Sequence, residues 1–417
     1  MSKSRLSGVA ASLALVTSLF VVLPRLGAQE GEPATKGKAV KDEKEAKDGL
    51  YRPLGLFTEV LTLVRSNYVE PVEMKPLLAG AFSGMTEAMD PFAEYIPAEQ
   101  MAAFRAAESA REKGDAIDPG VILARRLGYP LVVSAVAGGP AAAAGLESDD
   151  LIEKIGGKSV RQMSIWEAQS RLSGKSGAKV EVLVVREGKP RHRTLTVTLH
   201  SWTPEGPKTE RSSGETVIRI PDFAPGTAAA LRSLIAPFDR TKPLLIDLRG
   251  NAFGSYDEAA KAAGLFVPAG PIGELKGRKV EGKKWAAAEG DRIHESPVVL
   301  LIDSGTGGPA ELFAAAIRES EKTAVKNDKK VRLVGEPTFG AGSVLDVVPL
   351  SSGGALKLSV AKVRTPAGRA LSPKGLEPDD RVYPLPADEG QPVPADLILQ
   401  RGVKLLAEMA ARSKTAS

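Results

Sequence analysis

Apolar residues in the first part of the chain recur at helical spacing. Between residues 50 and 112, positions such as Leu56, Val60 and Leu63 fall three or four residues apart, which is the pattern of an amphipathic helix. Asp90-Pro91 interrupts this run, because a proline inside a helix removes a backbone donor and clashes with the preceding turn. The pattern predicts a helical N-terminal segment at 50–112.

The spacing of apolar residues becomes typical of strands from residue 116 to 200. The clearest strands are 131–133, which is flanked by glycine and proline, and 180–185. One short helical stretch lies between them at 165–172. This combination predicts a small separate domain of strands with one helix. The polar residues 201–214 contain proline and glycine and are typical of a linker.

The third stretch, 215–384, alternates short apolar runs with helical patterns. The runs at 244–248 and 298–302 have almost no polar residue, as is typical of strands buried on both faces of a sheet. Each run is followed by a glycine-containing turn and then by a helical pattern, which predicts a core of mixed strands and helices. The remaining residues, 385–417, hold a final amphipathic helix and a tail.

The first 28 residues have the pattern of a secretory signal. Lys3 and Arg5 precede an uncharged, largely apolar run at 6–23, and small residues follow it. The run is also nearly long enough to remain as an uncleaved membrane anchor. Both interpretations place the body outside the cytoplasm, in the periplasm or cell envelope. Residues 29–49 are charged and lack an apolar period, which predicts a disordered linker.

Composition excludes several classes of function. Lys and Arg number 56 and Asp and Glu 51, so the chain lacks the strong basic excess of a nucleic-acid-binding protein. It contains no cysteine, which excludes disulfides and cysteine–zinc sites. Its three histidines, His192, His200 and His294, have no metal-ligand spacing. We therefore expect no metal, no cofactor and no nucleic-acid partner.

Six motifs follow one another in an order that resembles a single peptidase family. They are Asn67-Tyr68-Val69-Glu70-Pro71, Met89-Asp90-Pro91-Phe92, Leu245-Ile246-Asp247-Leu248-Arg249-Gly250-Asn251, Gly335-Glu336-Pro337-Thr338-Phe339-Gly340, Thr365-Pro366-Ala367-Gly368-Arg369 and Gly375-Leu376-Glu377-Pro378-Asp379. Together they resemble the C-terminal processing, or tail-specific, serine peptidases. The resemblance implies an α+β fold, in which a helical N-terminal segment precedes an inserted PDZ domain and a crotonase-like core.

The motifs at 139–146 and 150–157 resemble those of a PDZ domain over 116–200. Such a domain binds an extended C-terminus by strand addition and holds the terminal carboxylate with loop N–H groups. The residues implied for this groove are Gly120, Val121 and Ile122 on one wall and Ile165 and Leu172 on the other. Pro119 has no N–H, so one donor is missing. The alternative is a PDZ-shaped domain that packs internally and binds nothing.

By resemblance, the chemistry of this family is carried by a serine nucleophile that a lysine amine deprotonates. A hydroxyl needs such a base, and lysine acts as one only when burial lowers its pKa. The motifs place Gly308 at the serine position, Ala341 at the lysine position and Leu345 at that of a supporting glutamine. All three functional side chains are therefore missing, which predicts an altered or abandoned active site.

Two features could replace part of this chemistry. The hydroxyl of Thr306 is the fallback nucleophile, although capping the following helix is a simpler role for it. The family's Asn-Pro-Gly-Gly oxyanion run reads Asn251-Ala252-Phe253-Gly254 here, and Gly254 is the remnant that could still donate an N–H. No lysine lies in the strand and turn that should face Thr306.

Three functions remain open from the sequence. The first is a pseudoprotease that binds protein C-termini through its PDZ domain. The second is an active endopeptidase that cleaves near C-termini with a non-standard nucleophile. The third is a structural remnant that acts through protein contacts alone. Motifs cannot separate them, because a fold does not fix a function.

Overall fold

The computed structural model describes five stretches of the chain, which are residues 36–186, 192–212, 214–320, 330–384 and 395–415. The predicted signal sequence, 1–28, lies outside the described residues. The chain divides into two compact units, one of them formed by residues 22–85. No helix within the described stretches is long and apolar enough to cross a membrane.

The smaller unit contains two helices, α1 (Lys36–Asn67) and α2 (Met74–Glu87). Helix α1 begins inside the stretch 29–49, for which the sequence predicted disorder. This part is rich in lysine and glutamate, which have high helix propensity and need no buried face to favour a helix. The helical pattern at Leu56, Val60 and Leu63 falls on α1, where all three side chains are exposed.

The larger unit starts with a short strand, a 3-10 turn and helix α3 before a separate sheet forms. These elements are β1 (Glu94–Ile96), the turn Ala98–Gln100 and α3 (Met101–Lys113). The separate sheet and its helices are β2 (Val121–Arg126), β3 (Tyr129–Ala135), α4 (Pro140–Ala143), β4 (Leu151–Ile155), β5 (Lys158–Ser159), α5 (Ile165–Leu172), β6 (Lys179–Val185) and β7 (Arg193–Thr198). The strand order is β2-β3-β4-β6-β7, so β2 is an edge strand.

The rest of the unit forms the core. Its elements are β8 (Lys208–Ser212), β9 (Glu215–Arg219), α6 (Thr227–Ile235), β10 (Leu244–Asp247), α7 (Tyr256–Gly264), β11 (Gly270–Gly277), β12 (Lys283–Ala287), β13 (Val298–Ile302), α8 (Pro309–Glu319), β14 (Val331–Gly335), β15 (Ser343–Pro349), β16 (Ala355–Arg364), β17 (Asp380–Arg381) and α9 (Leu397–Thr415). Strands and helices are both abundant, and the predicted α+β class is confirmed.

A largely parallel sheet lies at the centre of the core, in the order β17-β14-β13-β10-β9-β8. Strands β10 and β13 pair in parallel and are buried along their whole length, as their apolar runs predicted. Successive side chains point to opposite faces of a sheet. Ile246 and Leu300 therefore pack with α6, α7 and α8, whereas Leu245 and Leu301 pack with α9.

A second, antiparallel sheet carries part of the candidate site. Its order is β1-β16-β11-β12, and β15 pairs with β16 as a further strand. Strand β15 follows directly after the turn at 338–342, which is the turn that should carry the lysine. This sheet therefore holds one side of the candidate site, while the end of β13 and the start of α8 hold the other side.

Candidate active site and peptide groove

The turn between β13 and α8 has a backbone conformation that favours glycine. Gly308 is the N-cap of α8, with φ 50° and ψ −112°, and Pro309 occupies the first helical position. A side chain at such a φ is strained, whereas glycine adopts it without cost. A sharp strand-to-helix turn of this kind is where several hydrolases present a nucleophile. Gly308 has no side chain to present.

Glu311 joins this turn to the one that contains Ala341. One carboxylate oxygen accepts from the amide of Gly340 at 2.8 Å and from the hydroxyl of Thr338. The other accepts from the amides of Gly308 at 2.9 Å and Ala341 at 3.0 Å. Glu311 is fully buried. Desolvation raises its pKa to about 7, against the opposing effect of these four hydrogen bonds.

The three positions expected to carry catalytic side chains lie in one region. A Cβ atom placed on Gly307, next to Gly308, would lie 3.3 Å from the Cβ atom of Ala341, so the two turns are in contact. Ala341 and Leu345 are both buried in one apolar cluster. The cluster consists of Phe92, Ala124, Val133, Ala252, Ala341 and Leu345, with Ile122 and Phe339 packed against it. None of the three positions offers a hydroxyl, amine or amide side chain.

Thr306, the fallback nucleophile, is completely buried. Its hydroxyl lies 3.0 Å from the carbonyl oxygen of Leu248 and 3.0 Å from the carboxylate of Asp303. It also accepts from the amide of Asp303 at 3.1 Å. A hydroxyl has one proton to donate, and both possible acceptors belong to the protein itself. These contacts hold the turn in place and keep the hydroxyl buried.

The loop at the expected oxyanion position is fixed by backbone contacts. The carbonyl of Phe253 accepts from the amide of Phe223 at 2.8 Å, and the carbonyl of Phe223 accepts from Ser255 at 2.9 Å. Gly254 lies between these bonds with φ +116°, and a Cβ atom there would lie 2.2 Å from the Phe223 backbone. Gly254 therefore has a packing role that requires glycine.

The PDZ-like sheet packs directly on the loops of the candidate site. Ser134 in β3 donates its hydroxyl to the carbonyl of Gly250. In the same interface, Asp149 accepts from the hydroxyl of Ser304. The apolar cluster around Ala341 also contains Ala124 from β2 and Val133 from β3. The β2–β3 hairpin therefore covers the position expected for the lysine.

A cavity of about 170 Å³ runs along the groove between β2 and α5. Four of the five predicted groove residues line it, namely Gly120, Val121, Ile122 and Ile165. The fifth, Leu172, does not line the cavity and is fully buried in the core of the PDZ-like domain. The cavity also extends to the core, where Phe253, Leu345 and Lys357 form part of its wall.

Several residues of this groove were not identified from the sequence. Lys357 is buried and forms an ion pair with Glu94 at 3.3 Å, and the second oxygen of Glu94 accepts from the amide of Trp166 at 3.1 Å. Asp118 and Trp202 shape the loop before β2. Asp118 was visible beside Gly120 in the sequence, but its hydrogen bonds were not. The other contacts join residues far apart in the chain.

Both the PDZ-like sheet and the core of buried parallel strands match known families. Residues 216–382 match Peptidase family S41, and residues 131–186 match a PDZ domain. The chain therefore belongs to Peptidase family S41 and carries a PDZ domain, as the resemblance implied.

Relatives of this chain include several C-terminal processing proteases. The carboxy-terminal processing protease CtpA of Bacillus subtilis is 32% identical over 321 residues, which cover 76% of this chain and 66% of that protein. A carboxy-terminal-processing protease of Bartonella bacilliformis is 28% identical over 344 residues, covering 81% and 76%. The solved structure of a photosystem II D1 C-terminal processing protease matches with TM-score 0.60 and 25% identity, covering 80% of this chain and 88% of the other.

Proposed function

We propose that this chain is a pseudoprotease that binds extended segments of other proteins through its PDZ groove and does not cleave them. The observation that carries this proposal is the absence of a nucleophile and a base at Gly308 and Ala341, on two turns that are in contact. The turn that contains Ala341 also packs in an apolar cluster, which includes residues of the β2–β3 hairpin. A lysine base needs a low-polarity site but also a hydroxyl to deprotonate, and Gly308 supplies none.

The peptide-binding part of the proposal rests on the strand order. Because β2 is an edge strand, outer backbone groups in its first half can pair with an extended segment. Nearer its end, the amide of Arg125 already donates to the carbonyl of Pro91 at 2.7 Å. Helix α5 forms the opposite wall, and a cavity lies between the two elements. The family resemblance implies C-terminal segments as ligands. The groove can take the last side chains of such a segment whether or not its carboxylate is recognised.

A cleavage assay and a binding titration on the same purified chain test this function. We expect no hydrolysis of unstructured peptides above background, and measurable binding of apolar extended peptides. Thr306→Ala and the matched control Thr306→Ser should leave the cleavage background unchanged, because the Thr306 hydroxyl is bonded within the turn. Cleavage by the parent chain that survives in Thr306→Ser and disappears in Thr306→Ala would instead establish an endopeptidase with a threonine nucleophile.

The location of the chain is also part of the proposal. We infer that the segment 1–28 exports the body to the periplasm or cell envelope, where its protein ligands would be found. Fractionation of a bacterial host should recover the chain outside the cytoplasm, with its first residue near Gln29 or with the segment retained as an anchor. Replacing Lys3 and Arg5 by glutamate should block export. Soluble cytoplasmic protein with Met1 intact would contradict the inference.

A further inference from the structure

The loop that precedes β2 contains a carboxylate where a PDZ groove normally receives one from its ligand. One oxygen of Asp118 accepts from the amide of Gly120 at 2.8 Å. The other accepts from the side-chain amide of Gln169, in α5, at 3.2 Å. Asp118 therefore connects the two walls at this end of the groove. All three residues line the cavity.

These bonds change what the loop can offer to a ligand. A terminal carboxylate is held in such grooves by backbone N–H groups of the loop. Pro119 has no N–H, and the N–H of Gly120, which the sequence assigned to the ligand, already donates to Asp118. Two of the loop positions are thus unable to donate to a bound terminus.

Trp202 holds the loop in this arrangement. Its indole N–H donates to the carbonyl oxygen of Asp118 at 2.8 Å. Its ring lies so close to Gly120 that a Cβ atom there would be 2.7 Å from a ring carbon. Gly120 also has φ +74°, a conformation that favours glycine. Rotation of the Gly120 amide toward a ligand would disturb both the indole contact and the Asp118 bond.

The two cationic side chains in the cavity wall, Arg111 and Lys357, are each paired with a carboxylate of the protein itself. Arg111 forms an ion pair with Glu108 at 2.8 Å, and Lys357 forms one with Glu94 at 3.3 Å. Burial raises the pKa of Asp118, and this rise is opposed by the amide of Gly120, the charge of Arg111 and the amide of Gln169. Hydrogen bonds to both carboxylate oxygens suit the ionised form.

We propose that the groove selects extended segments that carry no negative charge at the Asp118–Gly120 loop, so that its ligands are internal segments and not free C-termini. An internal segment brings a backbone N–H to this loop, and Asp118 can accept from it in a charge-assisted hydrogen bond. A free terminus brings a second carboxylate close to the first. This inference rests on the proposed peptide-binding function. It replaces a preference for free C-termini with a preference for segments that carry no negative charge at this loop.

Isothermal titration of the full chain with one apolar peptide in three forms tests this preference for uncharged segments. The forms are the free acid, the C-terminal amide, and the same sequence extended by several neutral residues and ending in an amide. We expect the amide and the extended peptide to bind about tenfold more tightly than the acid, which corresponds to about 1.4 kcal/mol. Equal or tighter binding of the acid would overturn the inference and leave peptide binding intact.

Two variants separate the charge of Asp118 from its structural role. Asp118→Asn keeps an oxygen to accept from Gly120 and removes the charge, so the ratio of acid to amide affinity should fall to within about threefold. Glu181→Gln removes a carboxylate from β6, outside the cavity, and should leave the ratio unchanged. Persistence of the full ratio in Asp118→Asn would contradict the inference. Failure of every peptide form to bind would overturn the proposed function as well.

Discussion

Replacing Ala341 with lysine is expected to destabilise the chain by about 3 kcal/mol or more, because it buries an unpaired charge. Ala341 is 1% exposed and belongs to an apolar cluster. The carboxylate bonded to its own amide, Glu311, already accepts four hydrogen bonds. The introduced amine therefore meets a carboxylate that is already engaged by four donors. Denaturant unfolding of the parent chain and the Ala341→Lys variant measures the difference.

A methionine at the same position is the matched control. Ala341→Met adds a side chain of similar length without charge, and overpacking alone costs about 1–3 kcal/mol. The lysine variant should be less stable than the methionine variant, and the gap should narrow as pH rises and the amine becomes neutral. Equal stability of the two variants would mean that the site accommodates a charged amine, which would count against the proposed pseudoprotease.

Replacing Glu311 with leucine should cost about 4 kcal/mol or more at low pH, since it leaves buried donors without an acceptor. The affected groups are the Thr338 hydroxyl and the amides of Gly308, Gly340 and Ala341. Thr338→Val removes one of these donors and also leaves the buried amide of Leu376 without its acceptor, so it should cost about 2 kcal/mol. Chemical unfolding of both variants tests the order. A leucine variant as stable as the valine variant would show that the carboxylate is not needed to hold the two turns together.

The same carboxylate gives the stability a defined pH dependence. Its pKa is raised from 4.5 to about 7, so between these values the folded chain binds more protons than the unfolded chain. Stability from this group is therefore fully present below pH 4.5 and is lost as pH rises through 7. At about 1.4 kcal/mol per pKa unit, the parent's advantage over Glu311→Leu should shrink by about 3 kcal/mol across this window. A stability advantage of the parent over Glu311→Leu that grows as pH rises would contradict this prediction.

The elements that sequence patterns predicted best are those defined by local information. The apolar runs of β10 and β13 are long enough to indicate buried strands, and both strands lie side by side at the centre of the core. Helix α5 occupies 165–172, as the pattern of that stretch predicted. The structure of residues 36–49 was harder to predict. Their charged composition favours disorder in the absence of packing, but the helix propensity of the same residues favours a helix.

The candidate site was only partly accessible from the sequence. Motif order located Gly308, Ala341 and Leu345, and the structure places them on adjoining turns and strands. The packing of the β2–β3 hairpin over Ala341 depends on contacts between residues more than a hundred positions apart, which no local pattern encodes. Leu172 illustrates a different difficulty, because a step of one residue, about 100° around a helix, decides whether an apolar residue faces a groove or the core.

The backbone of Gly308 sets a cost in stability for any side chain at this position. A serine there would have to adopt φ 50° and ψ −112°, and a lysine at position 341 alone would be a buried charge without a hydroxyl to activate. Each single substitution thus lowers the stability of the chain without supplying a complete nucleophile–base pair. A Ser–Lys pair could therefore be built into this scaffold only if both side chains were introduced together and their cost in stability were offset elsewhere.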